Sequence, residues 1–247
     1  MAGAAVLGRL TWRVATVLDV RPETARAKTL VLGVDGWPGH RAGQHLDVRL
    51  TSEDGYQAQR SYSIASAPRQ DRLELTVERI DDGEVSPYLA GDDLREGDRF
   101  EVRGPVGGYF VWNPEVGGDV LLVAGGSGIV PLMAMVRQRA EEASPLPTRL
   151  LYSARSWDDV IYRDELERLA GAGFEPLFTL TRSQPAGWTG YARRVDASLL
   201  GEVAPTPPAA TFVCGPTPFV EAAASALVGL RHPPERIKTE RFGPTGG

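Results

Sequence analysis

Val120-Leu121-Leu122-Val123-Ala124-Gly125-Gly126-Ser127-Gly128-Ile129-Val130-Pro131-Leu132 is the stretch that decides the fold of this chain. The apolar run reads as a buried strand, the glycines turn the chain, and the residues from Ile129 onward open a helix. A glycine turn between a buried strand and a helix N-terminus lets backbone N–H groups approach a pyrophosphate, and the helix dipole favours the anion. Gly125, Gly126, Ser127 and Gly128 are therefore candidate ligands of a dinucleotide. The run departs from the G-x-G-x-x-G fingerprint, because Pro131 stands at the third glycine position, and a tight turn with nothing bound fits the same letters. It also fails the G-x-S-x-G nucleophile elbow, since Ile129 replaces the last glycine, which speaks against a serine hydrolase.

Downstream of the turn, apolar strand runs alternate with helical stretches. The pattern predicts strands over 119–124, 148–152, 174–181 and 211–214, and helices over 130–142, 158–169 and 218–230. Strands alternating with helices imply a parallel sheet covered on both faces. Residues 204–208 are a proline-rich surface loop. Upstream the pattern is different. Alternating apolar and polar residues predict strands over 12–20, 27–34, 45–50, 61–65, 73–79 and 99–103, separated by Gly, Pro, Asp and Ser clusters, with a brief helix over 86–90. Strands so spaced suggest a small antiparallel barrel. The change falls around residues 112–118, giving an all-β domain over 1–114 and an α/β domain over 115–247.

Composition narrows the possible functions. With 247 residues, 42% hydrophobic and 24% charged, the chain can bury two modest cores. A net charge of −5 offers no basic field for nucleic acid. No apolar stretch is long enough to cross a bilayer, and the apolar residues 2–7 lack the basic residues that open a signal peptide, so a cytoplasmic, monomeric protein is expected. The single cysteine, Cys214, excludes an intrachain disulfide and a cluster held by four cysteines, so an iron–sulfur centre would have to sit on another protein. His40, His45 and His232 show no zinc-type spacing, and no metal is expected.

Arg60-Ser61-Tyr62-Ser63, in the barrel half, resembles the R-x-Y-[S/T] signature of the ferredoxin–NADP reductase-like flavoproteins. Further matches follow in the family's order: Gly83-Glu84-Val85-Ser86, Gly104-Pro105-Val106-Gly107 with Phe110, Gly125 to Pro131, and Cys214-Gly215-Pro216. The resemblance covers nearly the whole chain. It implies a stand-alone reductase without an iron–sulfur domain, with a flavin, FAD rather than FMN, bound on the barrel, and NAD(P)H on the α/β half. Arg60 would hold a flavin phosphate with its planar fork. Tyr62 would lie against the isoalloxazine ring, and Ser63 would present its hydroxyl to flavin N5. Val77 is also assigned to the flavin. Gly83 to Ser86 would wrap the pyrophosphate, with Ser86 capping a helix, although a hairpin turn and an N-cap fit the same letters.

For the nicotinamide cofactor, the resemblance adds Cys214, Gly215 and Pro216, with Cys214 near nicotinamide C4, positioning the ring rather than attacking it. Glu240-Arg241-Phe242 looks like the acid, spacer and aromatic with which several members end, which gives Glu240 a place beside the reacting atoms and Phe242 a place over the flavin. Five residues follow Phe242 here, and a plain terminal strand fits as well. Arg155 ends the second strand of the α/β half and Thr181-Arg182 the third, the latter resembling the hydroxyl–arginine grip on a 2′-phosphate, and Tyr191 would stack on adenine. NADPH is thus favoured, while Asp158 and Asp159 would suit NADH. The expected activity is hydride transfer from NAD(P)H to FAD and electron delivery to a separate acceptor such as a ferredoxin. A flavin or quinone reductase with a small-molecule acceptor, or a non-catalytic flavoprotein subunit of a larger redox complex, stays open.

Overall fold

The computed structural model describes residues 10–69 and 72–243. The apolar N-terminal residues 2–7 and the tail residues 244–247 lie outside the described residues.

The first half is an antiparallel barrel. Its strands are β1 (Arg13–Pro22), β2 (Ala27–Val34), β3 (His45–Thr51), β4 (Gln57–Ser63), β5 (Leu73–Glu78) and β6 (Arg99–Val106), in the order β4-β3-β6-β1-β2-β5. An isolated bridge between Ile64 and Leu75 joins the two ends of the sheet. Alternation places Leu30 and Leu32, Leu46 and Val48, and Leu75 and Val77 in one apolar interior. Helix α1 (Ser86–Leu89) crosses between β5 and β6.

After a 3₁₀ turn at Pro114–Val116 the architecture changes to five parallel strands. β7 (Val120–Gly125) leads through a 3₁₀ turn at Gly126–Gly128 into α2 (Ile129–Glu141). Then come β8 (Thr148–Ala154), α3 (Arg163–Leu169), β9 (Phe174–Leu180), α4 (Ala197–Val203), β10 (Ala210–Pro216), α5 (Thr217–Gly229) and β11 (Ile237–Phe242). The order is β11-β10-β7-β8-β9. The central strands β7 and β10 are buried on both faces, while the edge strands β9 and β11 are partly open. Val120, Leu122, Ala124, Phe212 and Cys214 point into a core shared with α2 and α3. Leu121, Val123 and Val213 point into another core with α4 and α5. The α2 side also takes in Ala27, Ala42 and Ala65 from the barrel, so that core is continuous across the junction of the halves. No helix among the described residues is long and apolar enough to cross a membrane.

Three local expectations are corrected. The strand predicted over 61–65 runs instead over Gln57–Ser63, because its ladder with β3 pairs Thr51 with Gln57 and His45 with Ser63 and leaves Ile64 and Ala65 to turn away. The helix predicted over 158–169 is broken. A turn at Trp157–Asp159 precedes α3, and Tyr162 between them adopts a left-handed backbone (φ 60°). Its amide is drawn off the helix path by the Glu23 carboxylate at 3.2 Å, a contact from a distant part of the chain. Helix α4 was not anticipated: its Asp196 cap, whose carboxylate accepts from the Leu199 amide at 2.8 Å, precedes only seven residues.

Candidate functional site

On the barrel side, β4 carries Arg60, Tyr62 and Ser63. Arg60 is exposed and pairs with Glu84 at 2.5 Å, while the Tyr56 hydroxyl donates to the other Glu84 oxygen. The fold therefore brings Arg60 against the Gly83–Ser86 loop, the two segments that the resemblance assigns to flavin phosphates. Ser86, however, is not a helix cap. The N-cap of α1 is Val85, and the buried Ser86 hydroxyl accepts from the Ile80 amide at 3.1 Å, which ties the loop to itself. The Val77 side chain is fully buried inside the barrel, which leaves its backbone as the part a cofactor could meet.

Tyr62 is half-buried and packs on the barrel core, and burial pushes its phenol up, so it is neutral at any physiological pH. Ser63 gives the test of fit for a flavin. Its side chain is buried and its Oγ has no hydrogen-bond partner among the described residues. An orphaned buried hydroxyl costs about 1–3 kcal/mol and is retained where a ligand completes it. A ring nitrogen offers the missing partner. Beside it, by the β3–β4 register, stands His45, whose imidazole burial keeps neutral. Sequence reading had weighed His45 only for zinc, and its place beside Ser63 depends on a register between strands separated by a loop.

On the other side of the junction the glycine turn is built for close approach. Gly126 is left-handed (φ 55°), and an added Cβ on Gly128 would lie 2.2 Å from the carbonyl oxygen of Cys214. Gly128 thus supplies the helix-to-strand packing of the absent third glycine, and Pro131 is harmless in the first turn of α2, where no N–H is needed. Parallel pairing then puts Cys214 between Ala124 and Glu240, and Pro216 beside Phe242. Burial pushes the Cys214 thiol well up, and the Glu240 carboxylate adds to this, so the sulfur is an uncharged packing group rather than a nucleophile. Burial likewise raises Glu240 to about 7. Gly215 is buried and Pro216 is exposed at the strand end, while Phe242 is half-buried as the last residue of β11, packed on the core that contains Cys214.

At the carboxyl ends of β8 and β9, Arg155 and Arg182 lie side by side, the Arg182 amide donating to the Arg155 carbonyl at 2.9 Å. Both are exposed, and neither guanidinium has an ion-pair partner among the described residues. The Thr181 hydroxyl donates to the Ala154 carbonyl at 3.1 Å and so is already engaged. Tyr191 is half-buried. It runs beside β9, bonded to Phe178 and Leu180, and packs on the α4–α5 side of the sheet. The aromatic surface near Arg155 is instead Trp157, 5.2 Å from Trp188 and 5.1 Å from Phe178 between ring centres, which sequence reading passed over although Trp157 is two residues from Arg155.

Comparison with known proteins bears on both halves. Residues 19–111 match the oxidoreductase FAD-binding domain family and residues 122–225 the oxidoreductase NAD-binding domain family. The ferredoxin reductase component of 3-ketosteroid-9-alpha-monooxygenase from Mycobacterium tuberculosis is 35% identical over 239 residues, covering 92% of this chain and 64% of that protein. The glycine betaine monooxygenase reductase subunit of Pseudomonas aeruginosa is 34% identical over 211 residues, covering 83% and 57%. The chain thus spans about 57–64% of the length of these curated relatives. Among solved structures, the Amycolatopsis cytochrome P450 reductase GcoB superposes with a TM-score of 0.83 at 27% identity, over 98% of this chain and 74% of that one.

Glu240 makes stability depend on pH in a defined direction. Its folded value near 7 lies above the ordinary 4.5, so the folded protein keeps a proton that the unfolded chain releases. Its contribution is present below the ordinary value and is lost as pH rises towards 7, to the extent of about 3 kcal/mol. Urea unfolding at pH 5 and at pH 8 should show Glu240→Gln losing less stability between the two than the unmodified protein; an identical loss in both would place the titration elsewhere.

Proposed function

The chain belongs to the ferredoxin–NADP reductase-like flavoproteins, with an FAD-binding barrel and an NAD-binding sheet in one polypeptide, and from that premise we propose that it takes reducing equivalents from NADPH through FAD to a ferredoxin. The observation that carries this reading is the unpartnered Ser63 hydroxyl, buried two residues before Ala65 enters the core of the nucleotide-binding half. FAD bound there would supply the redox chemistry, accepting a hydride at N5 and releasing electrons singly.

The protein's part is placement and exclusion of water. Arg60 holds flavin phosphate, exchanging the exposed Glu84 contact for a doubly bonded anion. Tyr62 covers one ring face, and Ser63 donates to or accepts from N5 according to its protonation. The backbone of Gly125 to Gly128 receives the nicotinamide cofactor's pyrophosphate, and Gly215 and Pro216 border the nicotinamide pocket beside Cys214. Glu240, at its raised value, is poised to hold or release a proton there. Phe242 covers the flavin face that the nicotinamide later takes. Arg182 and Arg155 grip the 2′-phosphate.

The acceptor is proposed to be a ferredoxin because the Mycobacterium tuberculosis relative is by name a ferredoxin reductase component. Arg41 is exposed, beside the half-buried Lys238 whose amine donates to the Val111 carbonyl at 3.0 Å, and is a basic group with which an acidic partner would pair.

The purified protein should show flavin absorption bands that bleach on anaerobic titration with NADPH, and the double variant Arg60→Ala, Tyr62→Ala should purify largely colourless; full flavin occupancy in that variant would remove the barrel from the assignment. Electron delivery to a ferredoxin should slow as salt rises, whereas a salt-independent rate with rapid reduction of free quinones would point to a small-molecule acceptor. NADPH should be preferred over NADH by about ten- to hundredfold in kcat/KM, and Arg182→Ala should erase most of that preference while sparing NADH kinetics.

A further inference from the structure

Arg137 is an arginine on the apolar face of α2, and it is 7% exposed. Its guanidinium reaches both halves of the molecule. Nη1 donates to the Ala65 carbonyl at 2.9 Å and to Glu74 of β5 at 2.8 Å, both in the barrel half. Nε and Nη2 hold the two Glu165 oxygens of α3 at 3.0 and 2.6 Å, and the Tyr162 ring lies 5.0 Å from the guanidinium carbon. Around this centre the Tyr162 hydroxyl bonds Thr76, Thr76 bonds Thr29 at 2.7 Å, and Thr29 bonds Glu23 at 2.6 Å, whose other oxygen accepts from the Tyr162 amide. The network joins β2, β5 and the chain after β4 to α2 and the start of α3.

Where this clamp attaches matters more than its size. The Ala65 carbonyl lies two residues beyond Ser63, on the segment that faces the flavin. Arg137 lies eight residues beyond Ile129, about 12 Å along the helix that starts at the glycine turn. One side chain therefore connects the N5-facing segment to the helix that carries the pyrophosphate turn. We propose that Arg137 is a positioning residue for hydride transfer, holding the nucleotide-binding half in register with the flavin-binding half so that the nicotinamide carbon meets the flavin at reacting distance. This rests on the hydride-transfer reading above and assigns Arg137 no contact with either cofactor.

The distance requirement is severe, since reacting atoms must come within about 3–3.5 Å and a misplacement of about 1 Å can cost about a hundredfold. Arg137→Ala, loaded with FAD, should therefore show flavin reduction by saturating NADPH slowed by about 10- to 100-fold in anaerobic stopped flow, with the NADPH dissociation constant little changed. Reduction with NADPH deuterated at the transferred position should show a fully expressed isotope effect. Arg137→Lys keeps the charge but cannot span all the acceptors, and it should restore part of the rate. Hydrogen exchange on the flavin-free protein gives a readout independent of the chemistry. The amides of Ala65 and Tyr162, bonded to Glu74 and Glu23, should exchange faster in the variant while β7 and β10 keep their protection.

A folded Arg137→Ala protein that is reduced at the unmodified rate, or whose Ala65 and Tyr162 amides are unchanged, overturns the proposal. Should that variant not fold, Glu74→Gln, which weakens the barrel contact of Arg137 but keeps its Glu165 pair, must show a smaller slowing in the same direction, and a wild-type rate there overturns it equally. An unmodified protein that holds FAD but is not reduced by NADPH or NADH sinks the hydride-transfer reading instead, and the exchange experiment still decides whether Arg137 clamps the halves.

Discussion

A guanidinium removed from water is tolerated only when nearly all its donors find acceptors, and Arg137 meets that condition only with the two halves docked. The acceptors come from β5, from the chain leaving β4, and from α3; the Glu165 pair of α3 lies within the α/β half, while the Ala65 carbonyl and Glu74 are the two acceptors that docking of the halves supplies. Such a contact is close to all-or-none and defines one relative position rather than a range. Small side chains agree with it. Ala27, Ala42 and Ala65 of the barrel half enter the core of the α/β half and let the backbones approach, and Phe110 and Trp112 from the end of that half fill the space beside them. The glycine turn, Ser63 and the Cys214–Glu240 pair take their mutual places from that docking.

Charge is distributed in a way that suits such a cleft. Near the expected reacting centre burial keeps the Cys214 thiol, the Tyr62 phenol and the His45 imidazole uncharged, the first two pushed up and the last pushed down, while Glu240, raised to about 7, titrates near neutrality. Exposed cations, Arg60 on β4 and Arg155 and Arg182 beyond β8 and β9, stand where the proposed function puts the cofactor phosphates. A neutral, low-dielectric centre strengthens whatever dipoles face the reacting atoms, while exposed arginines bind anions at little desolvation cost.

The architecture was legible in the sequence because it rests on local signals. Apolar runs of strand length, glycine at the strand-to-helix turn and period-two alternation in the first half act over a few residues and need no partner to be read. The order of the R-x-Y-S segment, the glycine turn and the Cys-Gly-Pro strand end pointed to flavin and nicotinamide sites for the same reason. Tertiary structure decided everything that depends on which element lies beside which. Ser86 reads as a cap, yet its hydroxyl serves Ile80. Tyr191 reads as a loop residue, yet its backbone pairs with β9 and its half-buried ring packs on the α4–α5 side. A helix predicted in one piece breaks at Tyr162 because Glu23, far away in sequence, captures its amide. Arg137 in an apolar helix reads only as an interruption. Its acceptors come from segments more than sixty residues earlier and nearly thirty later in the chain, and no local pattern encodes a hydrogen bond whose partner is supplied by another part of the fold.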